Sequence, residues 1–118
     1  MPDDRKILVV EDDALIALEL GERLDDMGYA VLGPVMTLEE AERVMVEERP
    51  AAALLDANVA GRSSVDLGVQ LAERGVPIAF CTGYDRISNL PPQLAAVPVL
   101  TKPITDADLG ACLKKLLA

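Results

Sequence analysis

The stretch ILVVEDD, residues 7–13, joins four consecutive aliphatic residues directly to three acidic ones. An aliphatic run of residues 7–10 without polar alternation is typical of a strand that is buried on both faces. A helix-forming pattern follows it between residues 13 and 27, where apolar side chains recur every three or four positions. These apolar positions are Ile16, Leu20, Leu24 and Met27. The stretch therefore predicts a buried strand, an acidic loop and an amphipathic helix, in that order.

The same alternation continues to the end of the chain and indicates five strands and five helices. Because strand and helix alternate strictly, we expect right-handed crossovers and a parallel sheet with helices on both faces. The predicted fold is therefore α/β and doubly wound, with the flavodoxin-like strand order 2-1-3-4-5. The later strands are predicted at residues 30–35, 51–55, 76–81 and 97–101. The later helices are predicted from Thr37 to Glu48, at residues 64–74, after Thr105 and, with a weak pattern, at residues 89–96.

The length and amino-acid composition of the chain argue against several classes of function. The chain has 118 residues, which favours one domain spanning residues 1–118 with no output domain. Its net charge of −9 argues against binding of nucleic acid. The chain contains no histidine, which excludes a Ser-His-Asp triad, a histidine-ligated zinc and a phosphohistidine on this polypeptide.

The apolar segments give no sign of export or membrane insertion. The amino terminus lacks the apolar core of a signal peptide, and no run of about 18 apolar residues could span a bilayer. Cys81 and Cys112 lie 31 positions apart in apolar surroundings, which favours two buried thiols in a reducing cytosol. We therefore expect a cytoplasmic protein that has no contact with a membrane.

Polar residues follow four of the five predicted strands. In a parallel sheet the carboxyl ends of the strands meet at one edge, so these side chains are expected to lie close together. Acids that gather without a counter-charge repel one another, and Mg²⁺ is the divalent cation that suits oxygen ligands of this kind. The residues are Glu11, Asp12 and Asp13 after the first strand, Asp56 after the third, Thr82 after the fourth and Lys102 after the fifth.

This combination predicts phosphoryl transfer to a carboxylate. Asp56 is the single acid at the central position and would act as the nucleophile, since aspartyl phosphates are a known type of covalent intermediate. Mg²⁺ would offset the charge of the incoming phosphoryl group, and Lys102 and Thr82 would contact its other oxygens. Aspartate side chains are ordinarily ionised at neutral pH, so such a nucleophile needs no general base, which agrees with the absence of histidine.

Four motifs in this order resemble the receiver domain of bacterial two-component response regulators, over residues 6–117. They are ILVVEDD (7–13), LLDAN (54–58), FCTGY (80–84) and TKP (101–103). The resemblance implies that Asp56 is the phosphoacceptor. It further implies metal binding by Asp12 directly, by Asp56 itself, by the backbone carbonyl of Asn58, and by Glu11 through water. Thr82 and Lys102 match the switch hydroxyl and the lysine of the family.

Two further expectations come from the resemblance alone. The bond between Lys102 and Pro103 is expected to be cis, because the family usually has a cis bond there. The FCTGY motif looks like a subfamily of stand-alone receivers with a Phe-x-Thr-Gly-Tyr signature. The aromatic switch residue of most receivers is replaced here by Val99, so Tyr84 either takes its place or only packs as a half-buried ring against the fourth helix.

The resemblance also implies how the protein would signal. A sensor histidine kinase or a histidine phosphotransfer protein would phosphorylate Asp56. A downstream protein would then bind the face formed by the fourth helix, the fifth strand and the last helix. Enzymatic activity would be limited to Mg²⁺-dependent self-phosphorylation and slow dephosphorylation. Roles as an adaptor, a shuttle in a phosphorelay or a phosphate sink all remain open.

Three other classes of protein share parts of this pattern. A phosphatase of the haloacid dehalogenase type also uses an aspartate nucleophile, but it needs an acid two residues later, where Asn58 stands. A scaffold that binds its partner without phosphorylation would not need the set of polar residues. A flavodoxin-like nucleotide-binding domain would carry a glycine-rich loop after the first strand, where this chain has acids.

Overall fold

The computed structural model describes residues 3–83, 87 and 89–118. Within these residues, five strands form the main sheet and four α-helices surround it. The strands are β1 (Asp3–Val10), β2 (Tyr29–Val35), β3 (Ala52–Asp56), β4 (Ile78–Thr82) and β5 (Val99–Thr101). The helices are α1 (Ala14–Asp26), α2 (Leu38–Glu48), α3 (Val65–Glu73) and α4 (Asp106–Leu116).

All five strands are parallel, in the order β2-β1-β3-β4-β5. The predicted doubly wound sheet and its strand order are therefore confirmed. The register pairs Val10 with Leu55, Asp56 with Cys81, and Thr82 with Thr101. This register brings the ends of β1, β3, β4 and β5 to one edge, where the polar residues follow.

Side chains from alternate positions of the strands fill two apolar layers, one on each face of the sheet. Leu8 and Val10 of β1 lie in the layer that contains Phe80. Ile7 and Val9 point to the opposite layer, which includes Leu109 of α4. This two-sided burial explains why residues 7–10 are continuously apolar.

The prediction of a helix at residues 89–96 is wrong. Among the described residues of this segment, the only helical element is a single 3₁₀ turn, Pro92–Leu94. Asn89 has a left-handed backbone (φ 60°), and Pro91 and Pro92 have no N–H to donate to an α-helical ladder. The buried side chain of Leu94 packs this turn into the core.

Between β3 and α3, residues 57–63 contain a small antiparallel hairpin. Asn58–Val59 pairs with Arg62–Ser63 beside the main sheet. The Gly33–Pro34 bond within β2 is cis, which the sequence did not indicate. None of the helices in the described part of the chain is long and apolar enough to cross a membrane.

Candidate metal centre

Asp56 is the last residue of β3, at the centre of the sheet edge. The main chain around it is firmly held, because Ser64 Oγ donates to the Asp56 carbonyl over 2.6 Å and the Ala57 N–H donates to the Cys81 carbonyl over 3.0 Å. Its side chain is 13% exposed, and a cavity of about 340 Å³ between α1 and the residues after β5 borders it. The backbone that carries the Asp56 side chain is thus fixed in place, and the carboxylate is still accessible.

Lys102, directly after β5, reaches both Glu11 and Asp56. Its Nζ lies 2.7 Å from Glu11 Oε1 and 3.4 Å from Asp56 Oδ2. Burial alone would lower the pKa of the Lys102 ammonium. The hydrogen bond to Glu11 and the negative charges of Asp56 and Glu11 outweigh burial and raise it. The ammonium group is therefore charged and directed at the carboxylates.

Glu11 is the most buried acid of the group, at 3% exposure. Its Oε2 accepts a hydrogen bond from the Asp13 N–H over 3.1 Å. Burial raises the pKa of Glu11, although the hydrogen bond from Lys102 acts in the opposite direction. A cation bound beside Glu11 would offset the cost of burying its charge.

Asp12 is exposed, and its Oδ2 accepts a hydrogen bond from the Ala60 N–H over 2.8 Å. This bond from the hairpin is the largest cause of a lowered pKa of Asp12. One carboxylate oxygen from each of Glu11, Asp12 and Asp56 lies within 4.8 Å of the other two. Three carboxylates this close together form a donor set that fits Mg²⁺.

The same edge of the sheet holds three further features that the sequence predicts, Thr82, Asn58 and the bond between Lys102 and Pro103. Thr82 ends β4 and is buried, and its carbonyl accepts from the Lys102 N–H over 2.7 Å. Asn58 lies in the hairpin, and its N–H is 3.5 Å from Asp56 Oδ1. The Lys102–Pro103 bond is cis. Tyr84 lies outside the residues that the structure describes, so its role stays a prediction.

Asp13 does not join this group, because its side chain caps α1. Asp13 Oδ1 accepts from the N–H groups of Leu15 and Ile16 over 3.0 and 3.1 Å. Sequence analysis missed two groups that do contribute, the buried Ser64 hydroxyl and the Ala60 N–H. A serine directly before a predicted helix was a usable signal for Ser64, although its hydroxyl bonds the Asp56 carbonyl and does not cap α3. A backbone N–H carries no such signal.

With this geometry established, comparison with known proteins identifies the class. The model of the response regulator receiver domain family matches residues 7–114. The chain therefore belongs to the response regulator receiver domain family.

Individual relatives agree with this assignment. The transcriptional regulatory protein PdtaR of Mycobacterium tuberculosis is 27% identical over 108 residues, covering 89% of this chain and 53% of that protein. The phyllosphere-induced regulator PhyR of Methylorubrum extorquens is 31% identical, covering 95% of this chain and 43% of that protein. The chain spans about half the length of these curated relatives. The solution structure of SdrG from Sphingomonas melonis Fr1 is similar over 100% of both chains, with a TM-score of 0.83 and 33% identity.

Proposed function

We propose that this receiver domain accepts a phosphoryl group on Asp56 from a sensor histidine kinase or a histidine phosphotransfer protein. The observation that carries the proposal is the position of Lys102, whose Nζ lies 3.4 Å from Asp56 Oδ2 and 2.7 Å from Glu11 Oε1. A neighbouring cation is the feature that a carboxylate needs in order to receive a dianionic phosphoryl group.

The chemistry of the step follows from the groups present. A carboxylate oxygen of Asp56 attacks phosphorus, the new O–P bond forms, and the P–N bond to the donor's histidine breaks. The released imidazole keeps the electron pair and takes a proton from water. Since this chain has no histidine, the donor histidine belongs to the partner. Lys102 holds an oxygen of the transferred group as a point charge, and the Thr82 hydroxyl donates to another.

Glu11, Asp12 and Asp56 would hold Mg²⁺, together with the backbone carbonyl of Asn58, and Glu11 would act through water. Bound Mg²⁺ supplies positive charge that offsets repulsion between the Asp56 carboxylate and the phosphoryl oxygens. The close approach of the three carboxylates supports this assignment.

Phosphorylation would be read by a downstream protein that binds the face formed by residues 89–96, β5 and α4. Movement of Thr82 toward the new charge would couple Asp56 to this face, and couplings of this kind typically amount to about 1–3 kcal/mol. Tyr84 is proposed as the aromatic switch residue, because Val99 occupies the usual position on β5. We propose that this phosphoryl transfer takes place in the cytoplasm. Both cysteines, Cys81 and Cys112, are free thiols, as is usual in a reducing compartment.

The proposed reaction depends on Mg²⁺. Incubation with phosphoramidate and Mg²⁺ is expected to produce phosphorylated protein, which migrates more slowly on a phosphate-affinity gel. Excess EDTA is expected to lower the rate at which the phosphorylated protein forms by at least about tenfold. Added Mg²⁺ should restore the rate. Equal rates with and without the metal would contradict the proposed role of the acids. Multiple turnover of p-nitrophenyl phosphate would instead favour the phosphatase alternative.

A further inference from the structure

The hairpin formed by residues 57–63 has a tightly defined turn. Ala60 and Gly61, between its two paired segments, have φ values of 54° and 81°. Two consecutive left-handed residues give the compact connection that matches the twist of antiparallel strands. Glycine adopts this conformation freely, whereas alanine is strained in it, so contacts must hold Ala60 in place.

One such contact ends on the candidate metal centre. The Ala60 N–H donates to Asp12 Oδ2 over 2.8 Å, across 48 positions of sequence. A carboxylate has about four lone-pair sites, so this bond fixes the orientation of Asp12 and leaves capacity for a cation. The base of the hairpin is fixed as well, because the Ser64 N–H donates to the Ala57 carbonyl over 3.0 Å.

A second contact holds the hairpin to α2. Arg62, directly after the turn, forms an ion pair and hydrogen bond with Glu39 in the first turn of α2. Both side chains are exposed, and neither belongs to the acidic cluster. Arg62 therefore connects α2 to the residues that orient Asp12.

We propose that the hairpin is a positioning element for the metal centre. The Ala60 N–H orients the Asp12 carboxylate toward Mg²⁺, and the Arg62–Glu39 pair keeps Ala60 at the distance that this requires. The inference rests on the proposed function, because it assumes that Asp12 binds Mg²⁺. Partners that orient a metal ligand typically affect metal affinity substantially, even though they never touch the metal.

The decisive variant is Arg62→Gln, with Mg²⁺ binding measured by isothermal titration calorimetry. Removal of a positive charge from a protein of net charge −9 would by itself strengthen cation binding. The positioning role predicts the opposite, a Kd for Mg²⁺ raised roughly two- to fivefold, since an exposed ion pair holds the hairpin only moderately. Lys6→Gln is the matched control, because it removes the same charge from another exposed ion pair with α2, Lys6–Glu48.

Hydrogen exchange of the Ala60 amide, followed by NMR, gives a second readout. The amide is expected to stay protected when Mg²⁺ binds to the wild-type protein, and to exchange faster in Arg62→Gln. Unchanged or tighter Mg²⁺ binding by the variant would overturn the positioning role, as would loss of protection in the wild-type protein on adding Mg²⁺. A wild-type protein that binds no Mg²⁺ would overturn the proposed metal centre itself, and the positioning role with it.

Discussion

The variant Asp56→Asn is expected to lose phosphorylation by at least roughly a hundredfold, because removal of a nucleophile costs orders of magnitude in rate. An amide has no ionised oxygen to attack phosphorus, although it fills nearly the same space as the carboxylate. The Lys102 ammonium and the acids Glu11 and Asp12 stay in place in this variant. The measurement is the rate of phosphoryl transfer from a labelled histidine kinase, or from phosphoramidate with Mg²⁺.

Asp66→Asn is the matched control for this prediction. Asp66 is an exposed acid in the first turn of α3, so the substitution makes the same chemical change without touching the sheet edge. The control should be labelled at the wild-type rate, and both variants should keep the wild-type circular dichroism spectrum. Undiminished labelling of folded Asp56→Asn would assign the phosphoryl group to another residue.

The variant Lys102→Gln is expected to lose both stability and activity. Glu11 would then remain buried without its cation, and breaking a buried ion pair from one side commonly costs about 3–5 kcal/mol. Because the Lys102 side chain is 25% exposed and Glu11 keeps the hydrogen bond from Asp13, we expect about 2 kcal/mol. The rate of phosphorylation should fall about ten- to a hundredfold, because the positive charge beside Asp56 is lost.

Urea unfolding and a double-mutant cycle separate the two effects of Lys102. The variant Glu11→Gln/Lys102→Gln removes the unpaired charge and should regain part of the stability, while phosphorylation stays slow. Lys114→Gln, an exposed lysine on α4, should change neither quantity. If the variant Lys102→Gln is as stable as the wild-type protein, the ion pair with Glu11 does not stabilise the fold.

Much of the fold could be predicted because the local spacing of apolar residues indicates where the strands and helices lie. The continuous apolar run of β1 and the helical spacing of α1 each needed only a few neighbouring residues to interpret. The segment 89–96 was predicted wrongly because the strict alternation of strands and helices implied a helix before β5, whereas Pro91 and Pro92 lack backbone donors that an α-helix requires.

Part of the candidate site could likewise be predicted from the sequence, and part of it could not. Asp56, Glu11 and Lys102 could be grouped in advance, because parallel strands deliver their carboxyl ends to one edge. The contact between Ala60 and Asp12 could not be predicted, since it uses a backbone N–H placed by a left-handed turn at alanine. Glycine at position 61 signals a turn, but nothing in the sequence indicates which carboxylate that turn will meet.

We propose that the groups at this edge of the sheet direct a phosphoryl group onto Asp56. The most direct measurement is reduction of the phosphorylated protein with borohydride, which converts an aspartyl phosphate to homoserine, followed by peptide mass spectrometry. We expect homoserine at position 56 and unmodified aspartate at positions 12 and 13. Homoserine at another position, or none after phosphorylation in the presence of Mg²⁺, would contradict the claim.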